Sequence, residues 1–292
     1  MTPAELSKKI RGLEIRTRRE VTDVLAGEYK SAFRGSGMEF DEVREYQPGD
    51  DVRSIDWNVT ARQGRPFIKR FHEERELTVF FAVDLSPSSR YGSGTVSMAE
   101  VAAEICACLA FSAVRSNDKV GLLLFTDRIE LFIPPAKGVA HAMSIISRVL
   151  SFKPAGSGTD LAGAMAYLGR VLHKRSVLFL VSDFIGGGDY RREMTILARR
   201  HDCVAVTLAD PLQDTLPQAG LVEMEDAETG EIFLADTSDA RIRAAYHGAV
   251  QEEKRRLAEL LRKSGVDQLA LTAGEDYIRS LGAFLRRREN RR

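Results

Sequence analysis

Near residue 77 the rhythm of apolar and polar positions changes. From there, short near-continuous apolar runs alternate with segments whose apolar residues recur every three or four positions. Leu77–Val83, Val120–Phe125, Ser176–Ser182 and Cys203–Leu208 are the runs. Strands that are apolar on successive residues fit a sheet buried on both faces, which is the condition of a parallel sheet covered by helices. Met98, Val101, Ala102, Ile105, Leu109 and Ala113 form one stripe of a helix, and further helices are predicted over 139–151, 160–173 and 189–200. Arg128–Ile133 reads as an antiparallel edge strand returning from the turn Thr126-Asp127. A hairpin over 220–236, turning at Ala227–Gly230, then a charged helix over 239–263, a short strand at 268–272 and a last helix complete the series. This alternation predicts an α/β fold with a doubly wound, mostly parallel sheet and helices on both faces.

The first 76 residues read differently. Leu6, Ile10, Leu13, Val21 and Val24 recur at helical spacing and predict a long amphipathic helix over about 4–32. Its Lys8, Lys9, Arg11, Arg16, Arg18 and Arg19 read as a solvated face, with contact to an anionic partner as the alternative. Residues 33–76 are polar and punctuated by turn formers at Gly35-Ser36-Gly37, Pro48-Gly49-Asp50-Asp51 and Gln63-Gly64-Arg65-Pro66. The expected division is therefore 1–76, a helix with a small β-rich segment, and 77–292, the α/β body.

With 292 residues, 44% of them apolar, the chain has ample material for a buried core. Its 42 basic and 42 acidic residues balance, so net charge gives no argument for nucleic acid or an anionic membrane. The basic stretch 8–19 also lacks the interleaved aromatics of a base-stacking surface. Three cysteines, Cys106, Cys108 and Cys203, make no disulfide framework; the first two sit on different faces of a helix and read as packing residues. No apolar stretch has the length of a membrane span, and the N-terminus lacks the pattern of a secretory signal, so a cytoplasmic location is expected.

Three polar clusters stand where strands or glycine-rich turns should end: Asp84-Leu85-Ser86-Pro87-Ser88, Gly158-Thr159-Asp160 and Ser182-Asp183. In a parallel sheet the carboxyl ends of the strands converge on one crevice. Asp84, Ser86, Ser88, Thr159 and Asp183 would bring two carboxylates and three neutral hydroxyls to it. Such an all-oxygen set suits a hard cation, Mg²⁺ or alternatively Mn²⁺. Because the hydroxyls carry no charge, the cation would stay electrophilic and could accept a carboxylate from a partner. Taken singly, a serine after a strand is as readily a helix cap.

The pattern Asp84-x-Ser86-x-Ser88, Thr159 and Asp183 resembles the metal-ion-dependent adhesion site of von Willebrand factor A domains. That resemblance implies direct contact of the two serines and the threonine with the ion, and direct or water-mediated contact of the aspartates. Ser89 stands where many relatives have methionine, a packing position. A second resemblance lies just upstream. Gly35–Phe40, Arg44-Glu45-Tyr46, Pro48–Arg53, Ile55-Asp56-Trp57, Thr60-Ala61-Arg62, Lys69 and Glu73-Glu74-Arg75 resemble the signature of the bacterial family called domain of unknown function 58. It implies partnership with a MoxR-type AAA+ ATPase. Read on their own, the interleaved charges and aromatics of 35–76 predict a small sheet pinned by ion pairs, or else a docking face.

Enzymatic readings have less support. A haloacid-dehalogenase phosphatase needs an aspartate where Ser86 stands, and no phosphate loop, Gly-x-Ser-x-Gly elbow or paired zinc histidines occur. His141, His173, His201 and His247 are scattered and read as surface or capping residues. The expectation is a non-enzymatic, Mg²⁺-dependent protein-binding module. A metal-dependent phosphoester hydrolase and a scaffold with a vestigial site are the alternatives.

Overall fold

A computed structural model describes residues 12, 23–33, 37–74, 76–90, 92–94, 96–186, 188–225 and 231–291. The predicted helix before residue 23 with its basic face, the turn at Gly35-Ser36 and the hairpin turn 227–230 lie outside the described residues. Two compact units emerge: Phe33–Leu77, and a larger one holding the helix before it and everything from Thr78 on.

The larger unit is built on a six-stranded sheet. Its strands are β3 (Thr78–Asp84), β4 (Lys119–Phe125), β5 (Ile129–Ala136), β6 (Val177–Ser182), β7 (Asp202–Ala209) and β10 (Asp267–Thr272), in the order β10-β7-β6-β3-β4-β5. All neighbours run parallel except β5, which returns antiparallel along β4 at the edge. Only an edge strand tolerates the pair Pro134-Pro135, because proline offers no N–H to a second neighbour. The order reverses between β3 and β6: the chain leaves β3 toward β4 on one side and later returns to β6 on the other. That reversal opens a crevice at the carboxyl ends of these two strands.

Alternation within the strands assigns the two faces. Phe80 and Ala82 of β3, Leu123 and Phe125 of β4, Leu178 and Leu180 of β6 and Cys203 and Ala205 of β7 share one core. It also includes apolar residues of α5 (Leu161–Val171), α6 (Arg191–Arg200) and α8 (Ala240–Ser264). On this face Phe80 stacks on Phe132 at 5.6 Å, and a side chain at Gly121 would meet the Phe80 ring at 2.5 Å. The opposite face carries Val79, Phe81 and Val83, with Phe81 stacked on Phe179 at 5.6 Å. It is covered by α3 (Met98–Arg115), which packs on α4 (Val139–Ser151) and on α1 (Asp23–Ala32).

The predicted stripe of α3 is buried throughout, but so is nearly all the rest of the helix. Ala103, Cys106, Ala107 and Ala110 are small enough to let neighbours approach on every side. A reciprocal cap between Ser97 and Glu100 satisfies its first N–H groups. Tyr29 of α1 donates to Asp118 Oδ2 at 3.0 Å, both side chains being buried. Burial and the Asp118 charge raise the tyrosine pKa well above its ordinary value. Cys106, Cys108 and Cys203 are buried thiols outside any disulfide, in packing positions.

The smaller unit pairs β1 (Gly37–Glu45) with β2 (Phe67–Glu74) antiparallel, with an irregularity between Phe40 and Glu42. Between them lies α2 (Trp57–Gln63), capped by Asp56 and closed by Gly64 in the left-handed conformation. Arg44 holds Asp50 through two hydrogen bonds of 2.9 and 2.7 Å. Charged residues of the signature thus serve as caps and a turn clamp, while Trp57 remains 67% exposed.

Candidate functional site

The candidate site starts from strand register. Val83 of β3 lies opposite Val181 of β6, so Asp84 and Ser182 follow side by side at the tips of the two central strands. Both continue the even-numbered face of their strands. Ser182 Oγ accordingly donates to Asp84 Oδ2 at 2.7 Å. Asp84 Oδ1 accepts the N–H of Ser86 at 2.8 Å, which folds the chain back into a tight turn. Ser89 Oγ completes the turn, lying 2.9 Å from the Asp84 carbonyl and 3.0 Å from that of Ser86. These contacts bring Ser86 and Ser88 together, their hydroxyls 3.2 Å apart. Asp84, Ser86, Ser88, Ser89 and Ser182 are all buried.

Asp183 follows directly. Its Oδ1 accepts the N–H of Ile185 at 3.0 Å and Oδ2 is enclosed. Between them Phe184 takes φ +58°, a conformation unfavourable for an aromatic residue, and its N–H donates to Ser182 Oγ at 2.9 Å. A serine that both donates to Asp84 and accepts from Phe184 therefore locks the turn presenting Asp183. Ile185 on the rim is 54% exposed.

Thr159 is half-buried in the loop entering α5. The next residue, Asp160, donates its N–H to the carbonyl of Thr126, one residue past β4, and caps α5 through Gly163 N–H. Glu130 Oε1 secures the same loop by accepting from Thr126 Oγ1, Ala155 N–H and Gly156 N–H at 2.9, 3.0 and 2.7 Å. At Gly156 a Cβ would overlap Thr126 Oγ1 and Asp127 Oδ1, so only glycine fits. Hydrogen bonds join Asp84, Ser86, Ser88 and, through Ser182, the Asp183 turn; Thr159 arrives on a neighbouring loop anchored to the strand beside β3.

Three participants have roles that the sequence does not signal. Ser182 becomes one only through register with a residue 98 positions away. Ser89, expected to be a packing position, is instead a hydrogen-bonded clamp. Asp210, just past β7, accepts from Ser93 Oγ and from Ser93 N–H at 2.8 Å, tying the loop after Ser89 to the same edge of the sheet. Burial opposes its charge, but the Ser93 and Leu212 hydrogen bonds prevail and hold its pKa below the usual carboxylate range.

The donors gathered here are all oxygen, and the hydroxyls outnumber the carboxylates. Among the described residues no three His, Cys, Asp or Glu side chains cluster as ligands. Such a set fits Mg²⁺ or Mn²⁺ far better than zinc, which takes nitrogen and sulfur.

A family model described as "Protein of unknown function DUF58" matches residues 42–256. The chain is 29% identical over 283 residues to an uncharacterized protein of Mycobacterium tuberculosis, covering 96% of this chain and 89% of that protein. An uncharacterized protein of Mycobacterium avium is 30% identical over 157 residues, 53% of this chain and 92% of its own length. Among solved structures, the conserved hypothetical protein BatB from Bacteroides thetaiotaomicron is similar with a TM-score of 0.50 at 15% identity, covering 73% of this chain and 99% of that one. A von Willebrand factor type A protein from Catenulispora acidiphila gives a TM-score of 0.37 at 12% identity over 76% of this chain and 43% of that one. The larger unit is an α/β fold, a mostly parallel sheet with helices on both faces. On the match over residues 42–256, the chain belongs to the family of proteins of unknown function DUF58.

Proposed function

We propose that this chain is a non-enzymatic protein-binding module whose carboxyl-edge crevice takes Mg²⁺ and, through it, a carboxylate of a protein partner. The observation that carries the reading is the convergence of Asp84, Ser86 and Ser88 with the Asp183 turn where the strand order reverses. Ser86, Ser88 and Thr159 would supply neutral hydroxyls, and Asp84 and Asp183 the charge. A bound ion would supply a Lewis-acidic position for an incoming carboxylate. Ile185, exposed beside Asp183, gives that partner an apolar contact at the rim.

The partner class we assign is a MoxR-type AAA+ ATPase, which the family resemblance implies. A separate contact is proposed at exposed Trp57 and Val52, since an exposed tryptophan is the side chain most often found at the energetic centre of an interface. Recovery of the ATPase on immobilised chain should fall at least about tenfold in chelator and return with Mg²⁺. Equal recovery with and without metal contradicts the reading.

One observation favours a second reading, a scaffold whose polar cluster needs no ion. Both oxygens of Asp84 already accept hydrogen bonds, from Ser86 N–H and Ser182 Oγ. On that reading Asp84→Ala lowers stability without changing partner binding.

A further inference from the structure

The hairpin of β8 (Leu221–Glu225) and β9 (Ile232–Asp236) forms a two-stranded sheet of its own, outside the main sheet. Its register pairs Leu221 with Asp236, Glu223 with Leu234 and Glu225 with Ile232, which places these six side chains on one face. All six are exposed, with Leu221 at 74%, Ile232 at 62% and Leu234 at 70%. Every cross-strand pair on this face joins one aliphatic to one acidic residue. On the other face Val222, Met224 and Ala235 are half-buried and Phe233 is 51% exposed.

The charge is one-sided. Residues 215–238 contain Glu223, Glu225, Asp226, Glu228, Glu231 and Asp236 but no lysine, arginine or histidine, in a chain whose total charge is zero. The base of the hairpin is fixed nonetheless. Buried Thr237 donates through N–H and Oγ1 to the Gly220 carbonyl, both at 2.8 Å, and Arg243 of α8 donates to the carbonyls of Thr237 and Ser238 at 2.5 and 3.0 Å. Two-stranded ribbons are marginal alone, and each strand here leaves an outer edge. A firmly rooted ribbon that presents aliphatic side chains to water is a surface awaiting a cover.

We propose that the outward face of this hairpin docks an extended segment of another protein in which lysine or arginine alternates with aliphatic residues. Such a segment pairs its cations with Glu223, Glu225 and Asp236, covers Leu221, Ile232 and Leu234, and can add a strand to the ribbon. Charge complementarity selects this occupant. An anionic lipid surface meets like charge, and a second hairpin of the same chain brings acid against acid. The proposal does not depend on the metal site.

The test is fluorescence anisotropy with the full chain and a labelled decapeptide alternating lysine and valine. Saturable binding is expected that weakens with salt. It should weaken by about tenfold or more in Ile232→Ser/Leu234→Ser. In Glu223→Lys/Glu225→Lys the preference should transfer to a glutamate–valine peptide of the same length. These side chains are exposed, and circular dichroism checks that the variants fold. Absence of binding, or equal binding by wild type and variants, overturns the proposal. Pelleting with phosphatidylglycerol vesicles that is lost in Ile232→Ser/Leu234→Ser would instead make the face a lipid contact. Self-association in sedimentation lost in the same variant would make it a contact between copies.

Discussion

Ser182 makes two hydrogen bonds through one hydroxyl, donating to Asp84 and accepting from Phe184, and so links the strand tips on either side of the crevice. Ser182→Ala removes both in a buried setting and should lower unfolding stability by about 2 kcal/mol in urea denaturation. A value near zero would mean that the turn at Asp183 is held by other contacts. His201 offers a second test at this scale. It follows α6, is buried rather than lying at the surface, and burial, then the charges of Arg200 and Arg175, depress its pKa to about 4. The folded form thus holds the imidazole neutral, whereas the unfolded chain protonates it near 6.5. The resulting stability is complete above pH 6.5 and is lost as pH falls toward 4, up to about 3 kcal/mol. In His201→Phe the slope of stability between pH 6.5 and 4 should be shallower than in wild type.

At the scale of elements, what was legible followed from physics acting within one segment. The buried strands announced themselves through near-continuous apolar residues, and β5 through its turn at Thr126-Asp127 and its compatibility with an edge. Asp84, Ser86 and Ser88 were legible because they stand next to each other after a strand. Ser182 as the partner of Asp84 was not, because the contact exists only once β3 and β6 pair in one register. The hairpin was legible as a hairpin, but its outward apolar face was not: the sequence shows alternation without saying which side is covered. Gly121 illustrates the same limit, since its need for no side chain comes from Phe80 of the neighbouring strand. Gly121→Ala should cost about 1–3 kcal/mol through displacement of the Phe80–Phe132 stack, measurable as a fall in Tm. An unchanged Tm would mean that the ring moves aside freely.

Across the whole larger unit, the site and the main ionic clamp occupy opposite ends of the sheet. Arg288 of α9 (Tyr277–Glu289), 5% exposed, meets Asp202 and Asp267 at 2.7 Å each, near the starts of β7 and β10. Arg288→Met removes the buried cation that Asp202 and Asp267 share, Asp267 keeping Arg291 at 3.2 Å, and should cost about 3 kcal/mol. Affinity for Mg²⁺ should be unchanged at temperatures where the variant remains folded. The compact unit Phe33–Leu77 presents a second exposed surface, marked by Trp57. The central claim is that the carboxyl-edge cluster binds a divalent cation. Calorimetric titration of Mg²⁺ into the wild-type chain and into Asp84→Ala tests it most directly. The account predicts saturable binding at one site in wild type and its loss in the variant. Identical isotherms for the two proteins, or no binding to either, would contradict it.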